Sequence, residues 1–470
     1  MPKDLLLFGP ELMLLGGALL VFIASIAKEP KSEATWGMAL LASFAAVGLS
    51  LLTLHERGAP FFPGIYRVDL FSQLLKLGLS ALLCGVILIS RNLPSVRPSA
   101  RVDAPLFLLL STVGMMMLVS ATELLTMYVS LELSAYGLYI AVALSSKPRG
   151  SEAAAKYVLF GATSSAITLY GLSLVYGTVG STSMVKLSGA LVAGADPLLM
   201  IGMLLMFAGL LFKLALVPFH YWAPDAYEGA PHQMVAFIAS VSKLGAVGIV
   251  ARFAAMLPGG DSATLFIALS VASMALGNLA ALAQTDLKRL IAYSAVAHAG
   301  YLMLGYAAMS KTGLAAVIFY GMIYGASSVL AFVVLSALGR DGENPTMESI
   351  SGLYQRSPLA ALMMLVAIFT LAGIPPTAGF IGKWYLFAAA LQRGQFWLVL
   401  VAAAASTVAL YYYLQVVKAM YLAPPEDRPR VELTFTDSLA GLAALGFVIF
   451  YGVYPAPLWE LAQKAAALLG

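Results

Sequence analysis

The sequence predicts an all-α polytopic membrane protein with about fourteen transmembrane helices, two inverted five-helix repeats, and broken helices at spans 7 and 12. Three observations carry that prediction. Of 470 residues, 61% are hydrophobic and only 11% are charged, with a mean hydropathy of +0.89. Apolar runs of about 20 residues, the length that crosses ~30 Å of hydrocarbon, recur along the whole chain. Two runs are longer than a crossing needs and carry internal prolines. The short alternating strands of a membrane barrel are not visible.

Taken in order, the spans cover residues 5–27, 35–54, 69–90, 104–121, 123–145, 153–177, 197–225, 233–257, 262–283, 287–309, 312–338, 357–390, 395–422 and 434–455. The opening MPKDLLLFGPELMLLGG has a weak basic start and no clear small-residue cleavage site, so it reads as the first span and not a removed signal. Span 7 contains Pro218 and span 12 contains Pro375–Pro376. Proline lacks the N–H and clashes with the preceding turn, so each must interrupt its helix. Such interruptions are tolerated at membrane depth where they line a cavity.

Basic residues set the expected orientation. Of the 27, fifteen fall in loops after odd-numbered spans and eight on the side of the termini. The positive-inside rule therefore places both termini outside. The remaining four, Lys76, Lys213, Lys243 and Lys383, lie within the spans.

An internal repeat is visible. Tyr157 with Ser164–Ser165 recurs 163 residues later as Tyr320 with Ser327–Ser328, and Gly137 recurs as Gly300. Leu214-Ala215-x-Val217-Pro218 recurs as Leu371-Ala372-x-Ile374-Pro375, an offset of 157 that pairs Lys213 with Thr370. The offset covers five spans, an odd number, so the copies are inverted in the membrane. The expected division is an N-terminal three-helix segment at 1–103, a first repeat at 104–257, a second at 258–422 and a C-terminal helix and tail at 423–470.

Composition excludes several chemistries. The single Cys84 cannot form an intrachain disulfide or a self-contained iron–sulfur cluster. His55, His220, His232 and His298 show no close metal-ligand spacing, and no phosphate loop or nucleophile elbow is present. No basic patch with interleaved aromatics suggests nucleic acid.

The residues that remain able to do chemistry are the charges at mid-membrane depth, which cost at least ~2.5 kcal/mol each on insertion scales. Glu132 is about nine residues into span 5 and is expected to pair with Lys213 and tune it. Lys213 and Lys243 lie near the midplane, and Lys383 follows the span-12 break. A buried lysine with a movable carboxylate partner can load and release a proton near neutral pH. His298, beside Tyr293, Ser294 and Tyr301, is a candidate relay between Lys243 and Lys383. His220 and His232 are further relay candidates, His232 toward the inner end. Lys76 is expected to snorkel to the outer interface. Glu11 and Glu123 are expected at that interface, and Tyr411–Tyr413 as packing material.

PFHYWAPDAYEGAP after a mid-helix lysine, AYSAVAHAGYL in span 10, LAGIPPTAGFIGKWYLF in span 12 and PEL near the start occur in order over essentially the whole chain. Together they resemble the antiporter-like subunits of respiratory complex I. The lysine in GFIGKW, the length and the lack of a long lateral C-terminal helix resemble its N-type branch most.

That resemblance implies a proton channel in the membrane arm of a proton-translocating NADH–quinone oxidoreductase. The key positions carry over as Glu132, Lys213, Lys243 and Lys383. It implies no redox site or cofactor in this chain. NADH, FMN, Fe–S clusters and quinone are expected in other subunits. Expected partners are other membrane-arm subunits, related antiporter-like subunits among them, and the lipid bilayer of a bacterial inner membrane, with no nucleic acid. The same lysines would serve a cation/proton antiporter subunit, or a related complex with another electron donor.

Overall fold

The computed structural model describes residues 6–54, 60–194, 196–339, 342–425 and 428–469. His55, and Lys3, Arg57 and Arg340 from the charge count, lie outside the described residues. The chain is helical nearly throughout. It opens with α1 (Gly9–Ser25) and α2 (Ser32–Thr53), followed by a small antiparallel hairpin of β1 (Pro60–Phe62) and β2 (Tyr66–Arg67). Then come α3 (Leu70–Ile89), α4 (Ala104–Ser120), α5 (Leu124–Ala143), α6 (Pro148–Val179) and α7 (Met184–Gly194). The seventh span is split into α8 (Pro197–Met206), α9 (Ala208–Leu214) and α10 (Trp222–Gly229). The eighth is α11 (His232–Phe237), a π-helical turn at Ile238–Ser242, and α12 (Lys243–Met256).

The second half holds α13 (Asp261–Ala281), α14 (Leu287–Ala307), α15 (Lys311–Leu338) and the short α16 (Leu353–Arg356). The broken twelfth span is α17 (Pro358–Ala372) and α18 (Ala378–Gln392), followed by α19 (Phe396–Leu422), α20 (Phe435–Val453) and α21 (Ala456–Ala467). Among the described residues, eleven stretches are long and apolar enough to cross a membrane. The expected spans outside that set are α1 and α4, each of 17 residues, and the α17–α18 pair. The tail is itself ordered as α21, with Trp459 stacked on Tyr385 at 3.9 Å between ring centroids.

Helix ends follow local chemistry. Asp69 and Ser72 form a capping box at α3. The Glu123 carboxylate accepts the Thr126 N–H at the start of α5, and Asp286 accepts from Lys288 and Arg289 at α14. Each cap satisfies N–H groups that a helix start leaves without partners.

The 163-residue repeat appears as matched geometry. Leu124 N–H donates to Thr182 O, and Leu287 N–H donates to Pro345 O. Gly114 lets α4 approach Ser134 so closely that an added Cβ would lie 2.6 Å from its backbone N. Gly277 does the same on α13, where a Cβ would lie 2.5 Å from Ala297 N. At the breaks the register changes. Ala215 and Gly373 both take left-handed conformations (φ 59° and 83°). Leu216 N–H and Ile374 N–H reach back to Leu211 O and Phe369 O. These pairs are 158 residues apart, so Lys213 stands opposite Leu371 and not Thr370. The offset falls from 163 at Thr182 and Pro345 to 161 at Pro197 and Pro358, and to 158 at the breaks because the α8–α9 stretch is three residues longer than α17.

Burial defines the centre of the bundle. The stretch His232–Met256 and α15 are buried along their whole apolar windows, and α14 nearly so, whereas α2, α13, α19 and α20 are buried over only about a third of theirs. Lys243, Arg252, Lys288 and His298 of the eighth and tenth spans are therefore buried.

Candidate functional site

The functional side chains lie on four elements that meet along the buried axis: α12, α14, α18 and the break after α9. Lys243 directly follows the π turn, an irregularity that often marks functional positions in helices. Its ammonium donates to Ala295 O at 2.7 Å and lies 5.5 Å from the Tyr324 ring centroid. His298, one turn further along α14 from Ala295, packs its ring 5.1 Å from the same tyrosine.

His298 is held from both ring nitrogens. Nδ1 bonds the Tyr320 hydroxyl at 2.6 Å, and Nε2 bonds the Tyr413 hydroxyl at 3.1 Å. Tyr413 also meets Ser294 Oγ at 2.5 Å. Beyond His298, Tyr301 lies 4.6 Å from the Lys383 ammonium. Lys383 donates to Ala372 O at 2.9 Å and to Ser406 Oγ at 2.8 Å. The structure thus brings Lys243, His298 and Lys383 into one row, with tyrosine hydroxyls and rings between them. Groups of this kind exchange protons through short rearrangements of hydrogen bonds.

Lys213 is buried at the end of α9, and its ammonium has no hydrogen-bond partner among the described residues. Glu132 is its nearest acidic influence, but the expected ion pair is not closed. Glu132 is only half-buried on α5, and no described ion pair joins the two. The helix stops beside the lysine because Ala215 turns left-handed. Trp222 Nε1 then ties the loose end to Phe212 O at 2.9 Å, and Val217 N–H donates to Ser273 Oγ at 3.1 Å.

His220 is buried in the connection after this break, its ring 4.3 Å from that of Tyr221. No described hydrogen bond or ion pair ties it to Lys213 or Lys243. His232 is buried at the start of α11, against Gly339 and beneath the charges of Lys288 and Lys147.

Three readings from the sequence change. Lys76 does not snorkel: it forms a 2.6 Å ion pair with Glu11, and both side chains are wholly buried. Glu11, expected at the interface, also accepts a hydrogen bond from Tyr66. A lysine with a buried carboxylate in reach gains more from that partner than from stretching to water. Tyr413, read as packing, is a direct partner of His298. Its helix neighbour Tyr411 is 61% exposed, and only the helical phase separates the two roles.

Sequence reasoning also missed Lys288, counted as a loop residue. It is buried, and its ammonium donates to Ala230 O at 2.8 Å. Its signal was present: it lies inside the capped first turn of α14. Arg252, counted on the outer side, is buried as well and forks onto Asp69 at 3.0 and 3.1 Å.

A polar cavity of about 440 Å³ opens near Lys288, lined by Lys147, Arg149, Glu228, Asp286, Arg289 and Glu343. At its edge Asp225 bonds Lys156 at 2.9 Å and Arg289 at 3.0 Å.

Known proteins share the sequence pattern and the fold of this chain. The family described as NADH:quinone oxidoreductase/Mrp antiporter, TM, matches residues 121–409. The chain is 41% identical to "NADH-quinone oxidoreductase subunit N 2" of Solidesulfovibrio magneticus, over 98% of both chains. Among solved structures, a chain of "Respiratory complex I from Thermus thermophilus with bound Aureothin" superposes with a TM-score of 0.84 at 34% identity, covering 97% of this chain and 99% of that one. A chain of "Structure of Mrp complex from Dietzia sp. DQ12-45-1b" shares the fold, with a TM-score of 0.85 at 21% identity over 100% and 98% of the two chains. The chain belongs to the antiporter-like membrane subunits of NADH–quinone oxidoreductase, in the subunit N branch of that family.

Proposed function

We propose that the chain is a proton-translocating membrane-arm subunit, coupling quinone reduction elsewhere in the complex to proton transfer along its central lysines. The observation that carries this reading is the buried row Lys243–His298–Lys383, in which each ammonium donates to a backbone carbonyl and a histidine bonded on both nitrogens stands between. An inert spacer would gain stability from apolar residues at such positions.

In this reading the proton is taken up from the cytoplasmic side through the cavity beside Lys288 and His232. It reaches Lys243, passes His298 and leaves outward from Lys383. Glu132 and Lys213 act as the switch, with His220 a secondary relay. Lys213 with no hydrogen-bond partner among the described residues corresponds, in this reading, to the state in which the pair stands open. As Lys213 approaches Lys243, repulsion of about 4 kcal/mol at ~4 Å and an effective dielectric of ~20 would expel the Lys243 proton. The division at 1–103, 104–257, 258–422 and 423–470 belongs to the same reading. So do an inner-membrane location with both termini outside, and redox chemistry with NADH as donor confined to other subunits.

The test is proton pumping in membrane vesicles carrying Lys213→Ala, with the quinone-reductase rate recorded in parallel. Loss of both in an assembled complex supports coupling. Intact pumping per electron refutes it. Loss of only a Na⁺- or K⁺-dependent proton exchange assigns the chain to antiport instead.

A further inference from the structure

Polar groups continue past Lys383 and Ser406. Tyr301, whose ring stands beside the Lys383 ammonium, is buried. The side chains in reach of its hydroxyl are Ser406 and Asn278, and among the described residues it closes a hydrogen bond to neither. Asn278 is buried on α13. Its Nδ2 donates to Met274 O at 2.9 Å, and its Oδ1 accepts the Tyr412 hydroxyl at 3.0 Å. A backbone carbonyl can only accept, so Met274 fixes which way the amide faces. Tyr412 in turn packs its ring 4.4 Å from that of Tyr413, the partner of His298. The sequence sets this level through Gly277, which lets α13 lie against α14 at Ala297. Asn278 is the next residue, and Tyr301 is one turn beyond Ala297.

We infer that Asn278 is a positioning residue for the loaded form of Lys383, acting through Tyr301 and Ser406. The inference rests on Lys383 as the releasing lysine of the proposed function. An amide oxygen has two lone pairs. Tyr412 takes one, and the second is open to the Tyr301 hydroxyl. A Tyr301 that donates to Asn278 turns its own lone pairs toward Ser406. Ser406 then donates to Tyr301 and keeps Oγ open for the Lys383 N–H, the bond present at 2.8 Å. Every donor in the chain points away from the lysine, which suits an ammonium. An amide neither gives up nor takes a proton near neutral pH, so Asn278 ends the chain and orients it without carrying the proton.

A simpler role for Asn278 is to tie α13 to α19 through Tyr412. The two roles part at Tyr301, whose hydroxyl has no share in that tie. Without the Asn278 acceptor, Tyr301 and Tyr412 turn their hydrogens elsewhere, and the Tyr301 hydrogen competes with the ammonium for Ser406 Oγ. Loss of the tie alone leaves Tyr301 and Ser406 as they are.

The test measures coupled proton pumping and quinone-reductase rate in membrane vesicles carrying the intact complex, in water and in deuterium oxide, scaled to the amount assembled. Asn278→Leu and Tyr301→Phe should each slow pumping about ten-fold, the effect of one hydrogen bond. The double variant should be no slower than the slower single one, because both act through one chain. The solvent isotope effect should rise in each, since the proton step at Lys383 becomes limiting. Losses that add, or an unchanged isotope effect, would overturn the inference. Tyr301→Phe removes a single oxygen and carries the test if Asn278→Leu fails to assemble; normal pumping in it refutes the assignment. Lys383→Met separates the two levels of the argument. Pumping lost there but normal in Asn278→Leu and Tyr301→Phe overturns this inference alone. Pumping intact in Lys383→Met overturns the proton-transfer reading with it.

Discussion

The buried Glu11–Lys76 pair makes a quantitative prediction. Lys76→Met keeps the length and apolar packing of the side chain, so no cavity is opened. It leaves Glu11 wholly buried, with Tyr66 as its hydrogen-bond donor and its cation gone. Removing one partner of a buried pair costs about 3–5 kcal/mol, roughly two to three and a half powers of ten in the unfolding equilibrium. Adding Glu11→Gln removes the charge while keeping an acceptor for Tyr66, so the double variant should return to within ~1 kcal/mol of the parent. The assay is denaturant unfolding of the detergent-solubilised protein for parent, both single variants and the double. The expected pattern is a severe Lys76→Met, a recovered double variant and a coupling energy well above additivity. If Lys76→Met proves as mild as the double variant, the Glu11 carboxylate does not depend on the Lys76 ammonium, and the buried-pair reasoning fails.

Tyr413→Phe removes the hydroxyl that links His298 to Ser294. It should leave assembly intact and slow coupled pumping about ten-fold, the effect of losing one hydrogen bond of ~1.4 kcal/mol, read in vesicles. Gly277→Ala places a methyl against the backbone at Ala297 and should lower the amount of assembled protein several-fold in membrane blots.

The spans were legible because hydropathy and length are local properties, and so were the breaks, since Pro218 and Pro375–Pro376 announce themselves. The mid-membrane lysines stood out for the same reason. What stayed hidden depends on pairing across distance. Glu11 and Lys76 are 65 positions apart, and only the packing of α1 on α3 makes them neighbours. Glu132 and Lys213 looked like a pair by depth, but depth says nothing about the face of α5 on which Glu132 stands. The repeat was readable where its offset is constant. It misaligned Lys213 by one position because the shortening of α17 relative to α8–α9 cannot be placed without the break geometry. Tyr413 was missed because three successive tyrosines point in different directions on a helix, and composition alone does not choose among them.

The two joints left by the broken helices are fastened differently. In the first copy the Phe212 carbonyl, which also accepts the Ala215 N–H, is held by the indole of Trp222, a donor that never changes protonation state. In the second the free carbonyl of Ala372 is held by the Lys383 ammonium, and a neutral amine is the poorer donor. The first joint is a rivet and the second a clasp that loosens whenever its proton departs. Amide exchange at Gly373 should thus quicken with rising pH beyond the intrinsic rate, while that at Ala215 should not. Two hinges of common descent would then divide the labour, one carrying load and the other keeping time with the chemistry.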